Sequence, residues 1–285
     1  MTESTTTLAS AALVALEALL STSPIVGVYA ETGTGKTTFV ASLMEDPRYR
    51  KVLYIDGDKG GATVAHLTRQ AGLCDYRQAK GTCSLARQQW MSREISLGHK
   101  VPGISAVVIE GIARLYEDAV GEQFQTASPE DLSGNKLRRL YIIPSGLVKA
   151  VFSAVGNLQA QFNAQGRSVP IFLTVSTKEK SDDDGKTWEV PAISDYATKI
   201  IMGRADAFVQ LVRVGKNVRI MTDRDQNTTH RKVRHAGAAA DIAKLKNPTA
   251  PQLLQTWADA QAAQGDDIAQ YLQTESTSQQ QDQSS

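Results

Sequence analysis

Cysteine is scarce in this 285-residue chain, with only Cys74 and Cys83 present. Their spacing matches no zinc or redox pattern, and two are too few for a disulfide framework, so a reduced, cytoplasmic setting is expected. Histidine is equally thin. His66, His99, His230 and His235 are scattered, and no pair has a metal-ligand spacing, which argues against a metal site built on imidazoles. Charge of one sign is also missing: the net is +1, so any nucleic-acid surface must be local. The apolar stretch Leu8–Leu20 is short, carries Glu17 and lacks a positive flank. It reads as an amphipathic helix, neither signal peptide nor membrane span. No internal repeat is visible. The apolar fraction, 41 %, is ample for a core, and the length suits one decorated α/β domain.

Short apolar runs alternate with helical patterns along the chain. Ile25–Ala30 reads as a buried strand after Pro24, followed by a glycine-rich turn and a helix from about Lys36 to Met44. Lys51–Ile55, Ala106–Glu110 and Pro170–Ser176 read as further strands. Ala62–Ala71, Ser84–Leu97 (through Leu85, Trp90 and Ile95) and Leu147–Ala164 read as helices. Ala207–Val214 and Asn217–Thr222 flank Gly215-Lys216 as a hairpin. The expected fold is α/β, a mainly parallel sheet flanked by helices, with antiparallel strands added late. The boundaries are an N-terminal helix over 1–23, a core over 24–246, a helical segment over 247–263 and a Gln/Ser-rich tail over 264–285. The tail is too polar to offset its ordering entropy and is expected to be disordered.

The segment AETGTGKTT, Ala30–Thr38, follows a strand and opens a helix. In that context it is a phosphate-binding loop. Gly33 and Gly35 let backbone N–H groups turn inward, and the helix N-terminus adds partial positive charge. Ala30, Glu31, Thr32, Gly33, Thr34, Gly35, Lys36, Thr37 and Thr38 are the nucleotide-binding candidates. Lys36 is placed to reach the β and γ phosphates of ATP, and the Thr37 hydroxyl to ligate Mg2+. The customary first glycine of the motif is Ala30 here.

Such a loop needs an acidic residue to hold the magnesium, usually at the end of a neighbouring apolar strand. Glu110 meets that description and joins Thr37 as a metal-ligand candidate. The strand before it ends in Asp56-Gly57-Asp58. Either carboxylate is a candidate to activate water at the strand-top crevice.

In this order the elements resemble the RecA-core family of P-loop NTPases. AETGTGKTT resembles its phosphate loop. LYIDGDKGG resembles the strand end that carries its catalytic carboxylate, which implies that role for Asp58. AVVIEGIARL resembles its magnesium-site strand and implies that role for Glu110. IFLTVSTKEK resembles the strand leading to the DNA-sensing loop, with Thr174 or Ser176 as the γ-phosphate sensor. Lys232-Val233-Arg234 resembles the paired cations that reach across a subunit interface, which implies catalytic roles for Lys232 and Arg234 in a homo-oligomeric ring or filament. The resemblance runs from about Ile25 to His235. It departs where Asp58 replaces the usual Glu and Glu110 the usual Asp. Length and tail look most like compact phage-encoded recombination ATPases, which implies ATP hydrolysis, single-stranded DNA and a single-strand-binding protein as partners, and no membrane.

Two basic clusters bear on DNA. Lys199–Arg234 holds nine Lys/Arg against three Asp. Lys136, Arg138 and Arg139 adjoin Tyr141, which can stack on a base. Against them stands Asp182-Asp183-Asp184, in the loop Lys178–Trp188 that the resemblance would bring to DNA. The tail carries Asp266, Asp267 and Glu275 beside Ile268, Tyr271 and Leu272. Other functions open to the same core are a hexameric helicase-like or packaging motor, a weakly hydrolysing nucleotide switch, and a small-molecule kinase.

Overall fold

A computed structural model describes residues 23–58, 74–79, 83–132, 134–222, 231–233, 236–260 and 262–263. The expected helices at Leu8–Leu20 and Ala62–Ala71, the tail, and Arg234 lie outside the described residues.

The strands are β1 (Ile25–Ala30), β2 (Val52–Asp56), β3 (Cys74–Gln78), β4 (Ala106–Glu110), β5 (Ile171–Ser181), β6 (Thr187–Pro191), β7 (Ala207–Val214), β8 (Asn217–Met221) and β9 (Lys232–Val233). The sheet order is β3-β2-β4-β5-β1-β7-β8. Every pairing from β3 to β7 is parallel, while β6, β8 and β9 add antiparallel. The expected architecture is therefore present. β1, β2 and β4 are buried along their whole length, because helices cover both faces and a continuous apolar run loses nothing by facing either way.

One face carries α2 (Ser84–Leu97), α3 (Ile112–Thr126), α5 (Ile142–Ala164) and α6 (Asp195–Arg204). The other carries α1 (Lys36–Ala41), α7 (Ala236–Lys244) and α8, residues 250–260. A short helix, α4 (Gly134–Arg139), precedes α5. In α5, Val148, Val151, Phe152, Val155, Leu158 and Phe162 are buried. Their three- and four-residue spacing places them on one stripe. By length and composition the helical stretch Lys136–Ala164 could cross a bilayer, but this stripe is committed to the core.

Several boundaries differ from those read in the sequence. α5 begins five residues before the expected Leu147, since Pro144 sits in its first turn, where its missing N–H costs nothing. α2 is buried through Gln88, Met91 and Ile95, whereas Leu85 is exposed. β3 and α3 had no counterpart in the sequence reading. β3 is a half-buried polar strand, CDYRQ, paired in parallel with β2 and tied to Glu94 of α2 by Arg77 at 2.6 Å, so it lacks an apolar signature. The expected loop Lys178–Trp188 is a hairpin: β5 outruns the sheet to Ser181 and pairs with β6, setting Trp188 opposite Lys180. Asp182–Gly185 makes its exposed turn.

Candidate functional site

β1, β2, β4 and β5 all end on one side of the sheet. The chain leaves β1 for α1, then crosses over two strand positions to enter β2. Open α/β sheets bind ligands where the connections diverge in this way. Gly33 (φ 83°) and Gly35 (φ 106°) take left-handed conformations that side chains disfavour, and Gly35 caps α1. The Thr34 N–H donates to the Glu31 carbonyl at 3.2 Å, and the Phe39 N–H to Gly35 at 2.8 Å, closing the turn onto the helix. Lys36 Nζ donates to the carbonyls of Ala30 (2.8 Å) and Glu31 (3.1 Å). Burial lowers its pKa, with Glu110, Asp58, Glu189 and Glu31 pulling in the opposite direction. Ala30 is fully buried and pairs with Ser176 of β5, so a small residue is accommodated at the turn.

β2 and β4 are in register with Asp56 opposite Glu110. The oxygens of Asp56, Asp58 and Glu110 lie within 4.8 Å of one another. Two glycines enforce that approach. A Cβ on Gly111 (φ 90°) would stand 2.6 Å from the Asp58 nitrogen, and one on Gly57 would stand 2.9 Å from the Glu110 carbonyl oxygen. The Gly57 N–H donates to that same carbonyl at 3.0 Å.

The carboxylates have different surroundings. Asp56 is fully buried, accepting from the Tyr76 hydroxyl at 2.5 Å and from the Asp58 N–H at 3.0 Å. Its oxygens are thus engaged in holding the turn. Asp58 is exposed and lines the cavity. Glu110 is buried and accepts from the hydroxyls of Thr37 (3.0 Å) and Thr174 (3.3 Å). Burial raises its pKa, the neighbouring Tyr54 and Thr37 hydroxyls oppose this, and Asp58 and Asp56 add to the rise. The buried Tyr54 hydroxyl points toward Glu110 without reaching hydrogen-bond geometry, and burial pushes its pKa far up, so it stays neutral.

A cavity of about 410 Å³ opens over these groups. Lys36, Thr37, Asp58, Glu110, Thr174 and Ser176 all line it. Thr174 is buried against Glu110, while Ser176 is half-buried at the end of the β1 pairing. Thr32, Gly33, Gly35 and Thr38 complete the loop side. The donors around Glu110 are hydroxyl and carboxylate oxygens, which suit a hard divalent cation such as Mg2+ and not a soft one. An inward-turned loop with one lysine suits the phosphates of a nucleotide.

Lys232 lies elsewhere. It is half-buried on β9, and its ammonium donates to the Met202 carbonyl at 2.7 Å. The basic run around it does not form one exposed stripe among the described residues. Arg231 is buried with Nε and Nη2 on the Gln210 oxygen, and Arg213 donates to the Gly33 carbonyl at 3.1 Å. Lys136, Arg138, Arg139 and Tyr141 are exposed, with Tyr141 edge-on to Phe124. Sequence reasoning missed Arg114 and Glu117, which line the cavity from α3. Their positions four and seven residues after Glu110 carry a helical signal that would have found them once α3 was assigned.

No family model matches the chain, and no curated protein is detectably similar in sequence. Among solved structures, it is similar to a prototypical ATPase from the type III secretion system of pathogenic bacteria. That match has 18 % identity and a TM-score of 0.43, covering 67 % of this chain and 52 % of the other. The type III secretion ATPase EscN of enteropathogenic E. coli, solved with its central stalk EscO, matches at 15 % identity and a TM-score of 0.42, over 93 % and 58 %. The RadB recombinase matches at 14 % and 0.36, over 71 % and 83 %. The chain spans a little over half the length of the secretion ATPases.

Proposed function

We propose that this chain is a RecA-type ATPase that binds ATP with Mg2+ at the cavity above β1, β2, β4 and β5 and hydrolyses it. The observation that carries this reading is convergence: four neighbouring strands and the turns that follow them bring Lys36 and Thr37, Asp58, Glu110 and Thr174 to one cavity. In this reading the Gly33–Thr38 amides and Lys36 bind the phosphates, and Thr37 with Glu110 holds the magnesium. The metal, when bound, neutralises charge on the terminal phosphates. Asp58, the exposed carboxylate, orients the attacking water and takes up its proton, while Asp56 holds the turn that aims it. Thr174 contacts Glu110 directly and is favoured over Ser176 for reporting the state of the terminal phosphate.

The reading extends to action on single-stranded DNA in recombination or replication, in a phage-like setting in the cytoplasm, alongside a single-strand-binding protein. The exposed cluster Lys136, Arg138, Arg139 and Tyr141 supports it, while the acidic turn at Asp182–Asp184 keeps that hairpin tip from following a phosphate backbone. Lys232 lies outside its own chain's cavity, in keeping with Lys232 and Arg234 serving a neighbouring subunit of a homo-oligomer.

The test is ATP hydrolysis by the purified chain with and without single-stranded DNA, alongside sizing. Lys36→Ala abolishes hydrolysis in this reading, and equal rates in mutant and wild type refute it. Phosphoryl transfer to a small-molecule acceptor without stimulation by DNA would instead identify a kinase.

A further inference from the structure

Among the described residues the phosphate cavity carries more carboxylates than cations: its lining includes the carboxylates of Asp58, Glu110 and Glu117 but only two Lys/Arg side chains, Lys36 and Arg114. Lys36 belongs to the phosphate loop. Arg114 comes from the opposite wall, in the first turn of α3, and that helix starts hard against the acidic strand ends because Gly111 packs on Gly57 and Asp58.

Arg114 is held by little. Its Nε donates to Asp118 Oδ1 at 2.9 Å, one helical turn along, and its side chain is 60 % exposed. Exposed pairs of this spacing are weak. The second oxygen of Asp118 is already engaged by Arg87 of α2, in a more buried pair. Asp118 therefore stays neutralised when Arg114 leaves, so no uncompensated carboxylate opposes the movement. The planar guanidinium also matches a phosphate with two parallel donors, which an ammonium cannot do.

We propose that Arg114 is a phosphate-binding residue of this cavity, held on Asp118 until a nucleoside triphosphate enters and then donated to the terminal phosphoryl group. The inference rests on the ATP reading above and adds to it a second cation supplied by the same chain, facing Lys36 across the ligand. A diphosphate lacks the group that Arg114 would take. Arg114 thereby discriminates triphosphate from diphosphate, whereas Lys36 and the loop amides serve both.

The test is calorimetric titration of the full chain with the magnesium complexes of ADP and of a non-hydrolysable ATP analogue. Arg114→Ala is expected to weaken the analogue about tenfold, the scale of a charge-assisted contact, and to leave ADP within about twofold. Arg114→Lys should recover part of the loss, since charge returns without the fork. Equal weakening of both ligands, or of neither, overturns the proposal. If the wild type binds neither nucleotide, the ATP reading itself fails, and that outcome is distinct from selective failure at Arg114.

Discussion

Glu110→Gln is expected to stabilise the ligand-free protein while crippling its activity. Glu110 is almost wholly buried, with the oxygens of Asp56 and Asp58 within 4.8 Å. At an effective dielectric of about 20, two unit charges that far apart repel by roughly 3.5 kcal/mol. Proton uptake by Glu110 relieves part of this, and glutamine accepts from Thr37 and Thr174 almost as well. A net gain of about 2 kcal/mol remains, roughly 4–8 °C in melting temperature for a domain of this size. The sign depends on pH. Because the folded pKa of Glu110 is raised, its contribution to stability is fully present below the unfolded value and is lost as pH rises through the folded one. The advantage of glutamine therefore appears at pH 8 and vanishes near pH 4. With Mg2+ and ATP the ranking reverses, because the ligands stabilise only a chain that can hold the metal. Thermal melts of both proteins at the two pH values, with and without Mg2+ and ATP, check this. A ligand-free Glu110→Gln protein that melts below the wild type at pH 8 would refute the electrostatic account of the site.

Three further outcomes are expected. Gly111→Ala should cost about 2 kcal/mol or more, from a disfavoured positive φ and a Cβ driven into the Gly57 and Asp58 backbone, as read in urea titrations; a wild-type midpoint would show that the two strand ends are not locked together. Asp58→Asn should keep nucleotide affinity but lower turnover about a hundredfold, whereas Asp56→Asn should chiefly lower the melting temperature, because its buried oxygens serve Tyr76 and the Asp58 N–H; interchanged effects would exchange their roles. Burial pushes the Cys74 thiol up to about 12, so iodoacetamide at pH 8 should modify the exposed Cys83 and leave Cys74 intact, as peptide mapping would read.

The glycine-rich turn between β1 and α1 was legible in the sequence because its demands are local. Gly33 and Gly35 supply left-handed backbone, Lys36 and Thr37 follow at fixed spacing, and strand and helix patterns flank them. The buried strands were legible for the same reason: IVGVYA and AVVI are apolar on both faces, as suits the inside of a sheet. β3 escaped notice because it is a polar strand held by backbone pairing with β2 and by the Arg77–Glu94 ion pair, which no periodicity reveals. α3 escaped because it starts directly from Gly111, without the side-chain cap that usually announces a helix.

Sequence alone determined the glycine-rich turn after β1, the acidic strand ends and the α/β alternation, since each depends on neighbours a few residues away. Only the tertiary structure buried Asp56 against Tyr76, left Asp58 on the cavity, and brought Arg114 and Glu117 to the same wall. Parallel register set Asp56 beside Glu110, so Tyr76, from a strand twenty residues on, engages the first carboxylate and leaves the second facing the cavity. Such assignments depend on which strands become neighbours, a consequence of how the whole sheet buries its faces and not of any stretch of chain taken singly.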